Sequence, residues 1–461
     1  MEPRRIGVIG AGPKAAALAV WTAAFAGWRR ESKAAMAARL RPPPRLTIFE
    51  RAKAPAAHWN GDPLHGLGYT DGVQELCSEP TRDLAHGMGD WLGRELADFA
   101  RPYRWERFAK SNGLPTKPDF RPKHEQFASY VRWALETIEQ EHEALIELRL
   151  GETVTRLIPH RAHWSLTTDS GNTAESFDAV VVTSPGPSNG RIARCADPVA
   201  RASCYDAQNY WSKGRRTIAN ESRVIIVGGG GAAAAIALDI LEGASESNGR
   251  SVVLVAPSPT MFTRGESRFE HELLTSVRRW TDLTAHQRSE GLERLVSGVV
   301  FRRILERLEE VPSPEHVIGH VRAVVAGLTR IDDGAGEMPL EVHCQCETAE
   351  GPRLRIVHGT HVVDATGFDA TWFRSLLDDR LARALMSLGT AGLASHVDEH
   401  LRLCVSAQLV DFDDLQAIPL LRASPALHTP MLAGGRQPPG FASLLCLGRM
   451  AETLFWPHII R

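Results

Sequence analysis

Hydrophobic residues near the N-terminus form two short continuous runs on either side of a longer run of alanine and leucine. Arg5–Ile9 is an apolar run that ends at Gly10, and Leu46–Phe49 is a second one that ends at Glu50. Between them, Ala15–Ala26 has the composition of a helix. Short apolar runs bounded by glycine or proline are typical of buried strands. The order of strand, glycine turn, helix and strand predicts a βαβ unit.

The same order of elements recurs near the middle of the chain. Val224–Val227 predicts a strand, four glycines follow at 228–231, Ala232–Leu241 predicts a helix, and Val252–Val255 predicts the next strand. The two units are an internal repeat. Each of them predicts part of a parallel sheet covered by helices.

The remaining patterns are less regular. They predict, in chain order, a helix through Phe127, Tyr130 and Trp133 to about Leu148, strands at Trp164–Thr168 and Ala179–Thr183, mostly helix over Phe269–Thr329, a hairpin of Leu340–Cys346 with Leu354–Val357, and a short strand at Val362 and Val363. Residues 51–119 show no regular pattern and are rich in glycine, proline, histidine and tryptophan. A stretch of that kind inside a compact protein usually carries function.

Composition limits the class of protein. The 461 residues are 43% hydrophobic and 23% charged, with a net charge of −2. A single core rarely grows beyond about 250–300 residues, so we expect two or more domains. Binding to nucleic acid usually requires a basic surface, and the near-neutral charge therefore predicts no nucleic-acid partner.

The cysteines and the N-terminus indicate where the protein acts. The seven cysteines are dispersed and form no CxxC pair, which is typical of a reducing compartment. The basic start and the apolar run to Trp28 imitate a secretory signal, but Pro13 and Lys14 interrupt that run. No other stretch is long and apolar enough to span a bilayer. We expect a cytoplasmic protein with no membrane partner and no metal.

The first glycine turn, Gly10–Ala15, has the GxGxxG/A spacing between a strand and a helix. Gly10 permits the tight turn, and Gly12 lets a pyrophosphate approach the backbone at the helix N-terminus, beside Pro13 and Lys14. Glu50 ends the next strand, where a carboxylate accepts hydrogen bonds from a ribose. The alternative for a lone motif of this kind is an ordinary glycine-rich turn.

The second glycine turn contains Gly228, Gly230 and Ala233 in the same spacing. Its following strand ends without a carboxylate, and Arg264 and Arg268 lie further along the chain. A carboxylate would repel a 2′-phosphate, whereas an arginine would attract it, so this turn favours NADPH over NADH. The alternative for either arginine is a solvated surface charge.

Two such turns suggest one dinucleotide as a prosthetic group and another as a hydride donor. The segment from Val363 to Phe368 contains Ala-Thr-Gly after a short strand, and in flavoproteins with two dinucleotides such a strand commonly returns the chain beside the first nucleotide. The absence of a redox CxxC or CxxxxC pair excludes a disulfide reductase. The stretch Cys204–Trp211 lacks the FxGxxxHxxxW pattern of Baeyer–Villiger-type monooxygenases.

On these motifs the chain resembles the N-hydroxylating flavin monooxygenases, the group of ornithine and lysine N-monooxygenases, over most of its length. Segments similar to the family's motifs are Gly10–Pro13, Glu50 with Trp59, Val73–Gln74, Thr81–Leu84, His124–Trp133, Ser267–Glu272, Ala365–Phe368 and Ser443–Leu445. The resemblance implies that Trp59, Gln74, Gly367 and Leu445 contact a cofactor, and that Arg82 and His271 contact the substrate. Arg268 is a further cation available for a substrate carboxylate. Phe127, Tyr130 and Trp133 are equally compatible with core packing.

Two departures from the family pattern affect the expected substrate. Arg82 stands where the family usually has lysine, and His271 stands where it has asparagine. An arginine binds a carboxylate through two hydrogen bonds, which suits an acidic substrate. Tyr69–Gly72 and Thr263–Ser267 look closer to a subgroup that oxidises the amine of aspartate. Arg82 could instead pair with Asp83 or Glu79, and His271 could lie on a helix surface.

The sequence therefore predicts an α/β protein with two Rossmann-like dinucleotide-binding domains, for FAD and NADPH, and a small helical substrate region. We expect the FAD domain in two segments, 1–200 and 339–461, with the NADPH domain at 201–338. The resemblance implies that NADPH reduces the flavin and that a flavin C4a-hydroperoxide then N-hydroxylates a primary amine.

We expect aspartate or a similar small amino acid as substrate, O₂ as co-substrate and a homo-oligomer. The alternatives are an ornithine or lysine side-chain N-hydroxylase and another heteroatom oxygenase or NADPH oxidase. A flavin-free dinucleotide-binding or scaffold protein would belong to a different class.

Overall fold

The fold is taken from a computed structural model. It describes residues 2–32, 39–57, 83–85, 93–117, 120, 122–160, 163–171, 175–183, 186–188, 190–218, 222–242, 250–257, 261–263, 299–300, 302–310, 318–331, 339–369, 371–386, 402–403, 426–428, 451, 454–455 and 458–459.

The described strands are β1 (Arg5–Ile9), β2 (Arg45–Glu50), β3 (Ile146–Leu150), β4 (Val154–Pro159), β5 (Trp164–Thr168), β6 (Glu175–Phe177), β7 (Ala179–Val182), β8 (Cys204–Asp206), β9 (Arg223–Val227), β10 (Ser251–Ala256), β11 (Phe262–Thr263), β12 (Val299–Val300), β13 (Ile318–Arg322), β14 (Val324–Arg330), β15 (Leu340–Thr348), β16 (Gly351–Gly359), β17 (His361–Asp364) and β18 (Ala426–His428). Helices of at least five residues are α1 (Pro13–Glu31), α2 (Gly93–Ala100), α3 (Trp105–Ser111), α4 (His124–Glu141), α5 (Arg191–Cys195), α6 (Gly231–Glu242), α7 (Arg302–Glu310) and α8 (Asp379–Met386).

The first sheet is parallel, with strand order β18-β7-β1-β2-β3. Helix α1 follows β1 and packs against α2 and α4, and its aromatic residues Trp21 and Phe25 are almost fully buried. The antiparallel strands β4, β5 and β6 form a separate small sheet that contacts β1. Gly7 of β1 allows this contact, because a Cβ atom there would lie 3.3 Å from Leu166 and Phe177. The first glycine turn thus sits at the carboxyl end of a central strand.

The second sheet repeats this plan, with strand order β13-β10-β9-β17-β8 and all neighbours parallel. Helix α6 follows β9, as α1 follows β1. As in the first unit, the strands of a small antiparallel sheet, here β14-β15-β16, come between two strands of the large sheet in chain order. Its buried residues Val325, Val342 and Val357 share a core with β9 and β10. The predicted pair of Rossmann-like units and the α/β class are confirmed.

Two predicted helical regions contain strands. The helix through Tyr130 ends at Glu141, and Ile146–Leu150 forms β3 because it pairs in parallel with β2. Residues 269–329 were expected to be mostly helical, but Ile318–Arg330 forms β13 and β14. Residues 264–298 lie outside the described residues. The predicted hairpin is confirmed as β15 and β16.

The strand before Ala-Thr-Gly does not return to the first sheet as predicted. Strand β17 lies between β9 and β8 in the second sheet, and β15 and β16 pack on that sheet as well. The chain returns to the first core only after residue 364, through Phe373 and the residues that follow. The division predicted at 338/339 therefore does not coincide with the change from one sheet to the other.

The two connections between the sheets pair with each other. Asp369 N–H donates to the carbonyl of Pro187 over 2.9 Å, and Ser188 forms a bridge with Phe368. Gly186 has a φ of 81°, and a Cβ atom there would lie 2.6 Å from Trp372 Cγ. Only glycine fits this position without displacing Trp372.

Within the part of the chain that the structure describes, no helix is long and apolar enough to cross a bilayer. In the same part, Cys195, Cys204, Cys344 and Cys346 are free thiols.

Candidate functional site

The first glycine turn leaves the N-terminus of α1 open. Gly10 has a φ of 101°, and its N–H donates to the carbonyl of Phe49 over 2.8 Å. Gly12 is the N-cap of α1, which has no side-chain cap, no acidic residue in its first turn, and Pro13 at its start. A Cβ atom at Gly12 would meet nothing within 4 Å. These features suit an approaching pyrophosphate, which would accept hydrogen bonds from backbone N–H groups of the first turn.

Glu50 is held against the same turn. Its Oε2 accepts a hydrogen bond from Ala11 N–H over 2.9 Å, and its Oε1 accepts one from Ala52 N–H over 3.0 Å. Each carboxylate oxygen can accept more than one hydrogen bond. The carboxylate is therefore oriented at the end of β2 and retains acceptor capacity for ribose hydroxyls.

The segment after Glu50 folds back over the turn. Ala56 N–H donates to the carbonyl of Ala11 over 3.0 Å, and Ala56 adopts a left-handed φ of 52° that is uncommon for a residue other than glycine. This contact fixes the start of the irregular region that the sequence predicts to be functional.

Two buried polar residues lie at the turn. Lys14 is only 6% exposed, and burial lowers the pKa of its ammonium to about 8. The Thr183 hydroxyl lies 2.9 Å from the carbonyl oxygen of Ile9 and 2.8 Å from that of Gly10. The sequence analysis did not identify Thr183. The only sequence signal for it is its position directly after β7, at the same sheet edge as Gly10. The fifth predicted residue of the turn, Ala15, is fully buried and permits close packing of α1 on the sheet.

The second glycine turn is more tightly packed than the first. Gly228 has a φ of 138°, and a Cβ atom there would overlap the carbonyl of Ala365, with its carbon 2.8 Å away. Helix α6 begins directly afterwards, with Ala234 N–H donating to the carbonyl of Gly230 over 3.1 Å. Ala233 is fully buried. The turn again places a helix N-terminus at the carboxyl end of a central strand.

The end of β10 is apolar at the position that corresponds to Glu50. Ala256 is buried, with 1% exposure, and Pro257 follows it. No carboxylate occupies the end of this strand, which is compatible with the 2′-phosphate of NADPH.

The Asp-Ala-Thr-Gly turn borders the second glycine turn, through the contact of Ala365 with Gly228. Asp364 is 3% exposed and accepts hydrogen bonds from Ile192 N–H over 2.9 Å and from the Thr366 hydroxyl over 2.5 Å. Gly367 has a φ of 101°, and a Cβ atom there would meet nothing within 4 Å. The structure therefore places Gly367 at the carboxyl edge of the second sheet, next to the turn predicted for NADPH.

The other predicted contact residues lie outside the described residues. They are Trp59, Gln74, Arg82, Arg264, Arg268, His271 and Leu445. The residue after Arg82 is described: Asp83 Oδ2 lies 3.9 Å from Arg104 Nε, and Asp83 Oδ1 accepts a hydrogen bond from Ala85 N–H. Among the described residues, Arg104 is thus the ion-pair partner of Asp83.

Comparison with known families adds to this geometry. Residues 113–370, more than half of the chain, match the model of L-lysine 6-monooxygenase/L-ornithine 5-monooxygenase. Residues 7–186 match an FAD-NAD(P)-binding model. The chain is 29% identical to the L-lysine N6-monooxygenase MbtG of Mycobacterium sp. (strain MCS), over 97% of this chain and 94% of that protein.

Solved structures share the fold. Lysine monooxygenase NbtG from Nocardia farcinica has a TM-score of 0.68 and 23% identity, covering 98% of this chain and all (100%) of that one. Ornithine hydroxylase PvdA from Pseudomonas aeruginosa has a TM-score of 0.64 and 17% identity, covering 99% of each chain. At these identities the likeness supports the two-sheet architecture alone.

The comparisons confirm the predicted pair of cofactors, FAD with a nicotinamide dinucleotide, through the FAD-NAD(P)-binding model. They also confirm the predicted enzyme class. The residues at both glycine turns fit dinucleotides, since each turn opens a helix at the carboxyl end of a central strand. The chain belongs to the L-lysine 6-monooxygenase/L-ornithine 5-monooxygenase family and is a flavin-dependent N-monooxygenase.

Proposed function

We propose that the protein N-hydroxylates the side-chain amine of L-lysine, or of the shorter L-ornithine, with NADPH and O₂ as co-substrates. The observation that carries this proposal is the 29% identity to an L-lysine N6-monooxygenase along 97% of the chain. The comparisons favour this alternative over aspartate, the substrate preferred from the sequence, because the family match is to lysine and ornithine enzymes.

In this proposal the first glycine turn holds the FAD. Gly10, Gly12, Pro13 and Ala15 shape the N-terminus of α1 for the pyrophosphate, and Glu50 accepts from the adenosine ribose. Bound FAD supplies the oxygen-activating chemistry. Trp59, Gln74 and Leu445 are proposed to contact the flavin, as the family resemblance implies.

The second glycine turn holds NADPH in this proposal. Gly228 and Gly230 bring the backbone close to the pyrophosphate, and Ala233 keeps the first turn of α6 close to the sheet. The apolar end of β10 at Ala256 supports a 2′-phosphate at this site, with Arg264 as its proposed partner. Gly367 is proposed to line the same crevice, because it borders Gly228 through Ala365.

The substrate is held by its α-carboxylate in this proposal. Arg82, Arg268 and His271 are the candidate ligands, and Arg82 is the residue we place directly on the carboxylate. Lysine and ornithine carry one carboxylate where aspartate carries two, so a single arginine clamp is sufficient. The side-chain amine must be neutral when it attacks oxygen, and a water-excluding pocket favours the neutral form of an amine.

A panel of L-lysine, L-ornithine and L-aspartate, incubated with NADPH, O₂ and the holoenzyme, tests this function. We expect hydroxylamine from lysine or ornithine and none from aspartate. Hydroxylamine from aspartate alone would overturn the substrate assignment. NADPH consumption that yields only hydrogen peroxide with every amine would indicate an NADPH oxidase.

We further propose a homo-oligomer. The outer face of the β14-β15-β16 sheet supports it, because Leu354 is 67% exposed and Ile356 is 42% exposed on neighbouring positions of β16. Exposed apolar patches of this kind often mark interfaces. Light scattering coupled to size-exclusion chromatography measures the mass directly, and a monomeric mass would contradict the proposal.

A further inference from the structure

Thr183 follows β7 and reaches two carbonyls of the first glycine turn. Its hydroxyl oxygen lies 2.9 Å from the carbonyl oxygen of Ile9 and 2.8 Å from that of Gly10. A carbonyl can only accept a hydrogen bond, so the hydroxyl donates its proton between these two oxygens. Thr183 is 6% exposed, and its own N–H also donates to the Ile9 carbonyl, over 3.0 Å. The end of β7 therefore holds the turn through a buried side chain as well as through the backbone.

The peptide unit that joins Gly10 to Ala11 is held on both sides. Its carbonyl, on Gly10, accepts from the Thr183 hydroxyl, and its N–H, on Ala11, donates to Glu50 Oε2 over 2.9 Å. The C=O and N–H bonds of a trans peptide point in opposite directions. The partners match this geometry, because β7 and β2 flank β1 on opposite sides in the first sheet. Side chains from the two neighbouring strands thus fix the orientation of one peptide.

The orientation of this peptide matters for an anion at the turn. A pyrophosphate there accepts hydrogen bonds from backbone N–H groups, whereas a carbonyl oxygen turned toward it would repel it. Gly10 has a φ of 101°, and glycine permits more backbone conformations than any other residue. The turn is therefore a place where a peptide would rotate unless it is held. The Thr183 hydroxyl keeps the Gly10 carbonyl on the side of β7.

We propose that Thr183 is a positioning residue for FAD binding: its hydroxyl holds the Gly10 carbonyl on the side of β7 and thereby keeps the first glycine turn in the conformation that receives the pyrophosphate. This inference rests on the proposed function, in which the first glycine turn holds the FAD. It also gives Glu50 a second role, because the carboxylate proposed to bind the ribose holds the other side of the same peptide.

The test measures the affinity of the FAD-free protein for FAD, by a titration followed through flavin fluorescence. Thr183→Val removes the hydroxyl and keeps the branched shape of the side chain. We expect its Kd for FAD to be about tenfold higher than that of the wild type, as the loss of one buried hydrogen bond implies. Thr183→Ser retains the hydroxyl, and its Kd should stay within about twofold of the wild type. An equal Kd in Thr183→Val and Thr183→Ser overturns the positioning role.

Thr22→Val is the matched control. Thr22 is also buried, with 0% exposure, and its hydroxyl donates to the carbonyl of Leu18 over 2.9 Å. It lies on α1, nine residues after Pro13 and thus about 14 Å along the helix from the turn. Loss of its hydroxyl should leave the Kd for FAD unchanged. An equal rise in Thr22→Val and Thr183→Val would show a general effect of losing a buried hydroxyl and would overturn the proposal.

A second pair of variants covers the case in which Thr183→Val does not fold without FAD. Thr183→Ala and Thr183→Ser differ from each other by the hydroxyl alone. Their holoenzymes are diluted, and the release of FAD is followed as a function of time. We expect release about tenfold faster from Thr183→Ala than from Thr183→Ser. Equal rates of release overturn the positioning role.

Gly12→Val distinguishes the two possible failures. If Gly12→Val binds FAD as tightly as the wild type, the first glycine turn is not the FAD site, and the positioning role falls with that part of the proposed function. If Gly12→Val loses FAD while Thr183→Val has the wild-type Kd, the positioning role alone is refuted. The identity of the amine substrate does not affect either outcome, because both are measured as FAD binding.

Discussion

Gly228→Ala tests whether the second glycine turn depends on contact with the Asp-Ala-Thr-Gly turn. Gly228 has a φ of 138°, and an added Cβ would overlap the backbone carbonyl of Ala365. The overlapping atoms are backbone, so they cannot rotate away as a side chain would. The substitution therefore destabilises the folded protein in two ways: alanine is strained at a positive φ, and its Cβ atom overlaps the backbone of Ala365.

The two costs have known sizes. A non-glycine residue at positive φ costs about 1–2 kcal/mol, and overpacking in a core costs about 1–3 kcal/mol. We expect Gly228→Ala to lower the free energy of unfolding by about 2–5 kcal/mol in total. For a domain of this size, 1 kcal/mol shifts the Tm by about 2–4 °C, so a Tm about 4–20 °C lower is expected.

Gly351→Ala separates the two contributions. Gly351 also has a positive φ, of 109°, but a Cβ atom there would meet nothing within 4 Å. This variant should lose only the conformational part, about 1–2 kcal/mol. Urea titration followed by circular dichroism measures both variants. Equal losses in the two variants would refute the close contact between Gly228 and Ala365.

Three further predictions follow from the glycine turns and the connections between the sheets. Gly12→Val should fold normally, since a Cβ atom at this position meets no protein atom within 4 Å, but it should not bind FAD, because the valine side chain would occupy the space of the pyrophosphate. The flavin absorbance of the purified protein measures the FAD content. Gly186→Ala should destabilise the protein by about 2–5 kcal/mol, since its Cβ would lie 2.6 Å from Trp372 Cγ at a φ of 81°, and a Tm equal to that of the wild type would contradict the contact. Burial lowers the pKa of Lys14 from 10.5 in the unfolded chain to about 8 in the folded protein. Between pH 8 and pH 10.5 the unfolded chain therefore binds more protons than the folded protein, and the free energy of unfolding rises with pH. Lys14→Met should abolish that rise and stabilise the FAD-free protein most below pH 8, as urea titrations across this range would show.

The two βαβ units could be predicted from the sequence because their signals are local. An apolar run, glycines and an alanine-rich helix follow each other within a few residues at Arg5–Ala26 and again at Val224–Leu241. The structure has β1 and α1 in the first unit and β9 and α6 in the second, and the helices extend beyond the predicted ends by a few residues. Each of these signals depends on neighbours in the chain and not on distant partners.

The sheet that receives β17 could not be predicted in the same way. A short apolar strand such as Val362–Val363 fits any parallel neighbour, and the choice is made by long-range pairing with β9 and β8. The same holds for Ile146–Leu150, whose pairing with β2 overrides the helical pattern that precedes it. A local sequence pattern indicates that a strand forms, but not which strand it pairs with.

The residues of the candidate site differ in the same way: some are marked by local motifs and others are placed by long-range contacts. Gly10, Gly12 and Glu50 were predicted because the motif fixes their roles by spacing, and the structure brings all three to one turn. Thr183 contacts the carbonyl of Gly10, which lies more than a hundred positions away in the chain, and no local motif marks it. Asp364 belongs to the segment before Ala-Thr-Gly that the sequence singles out, but its contact with Ile192 is equally long-range and could not be predicted.

In the proposed function, this flavin-dependent enzyme transfers one oxygen atom from O₂ to the side-chain nitrogen of lysine or ornithine. The most direct measurement is the mass of the product formed by the holoenzyme under ¹⁸O₂ with NADPH. We expect an amino acid with one heavy oxygen atom on its side-chain nitrogen. Unmodified amino acid, with the heavy oxygen recovered only in hydrogen peroxide, would contradict it.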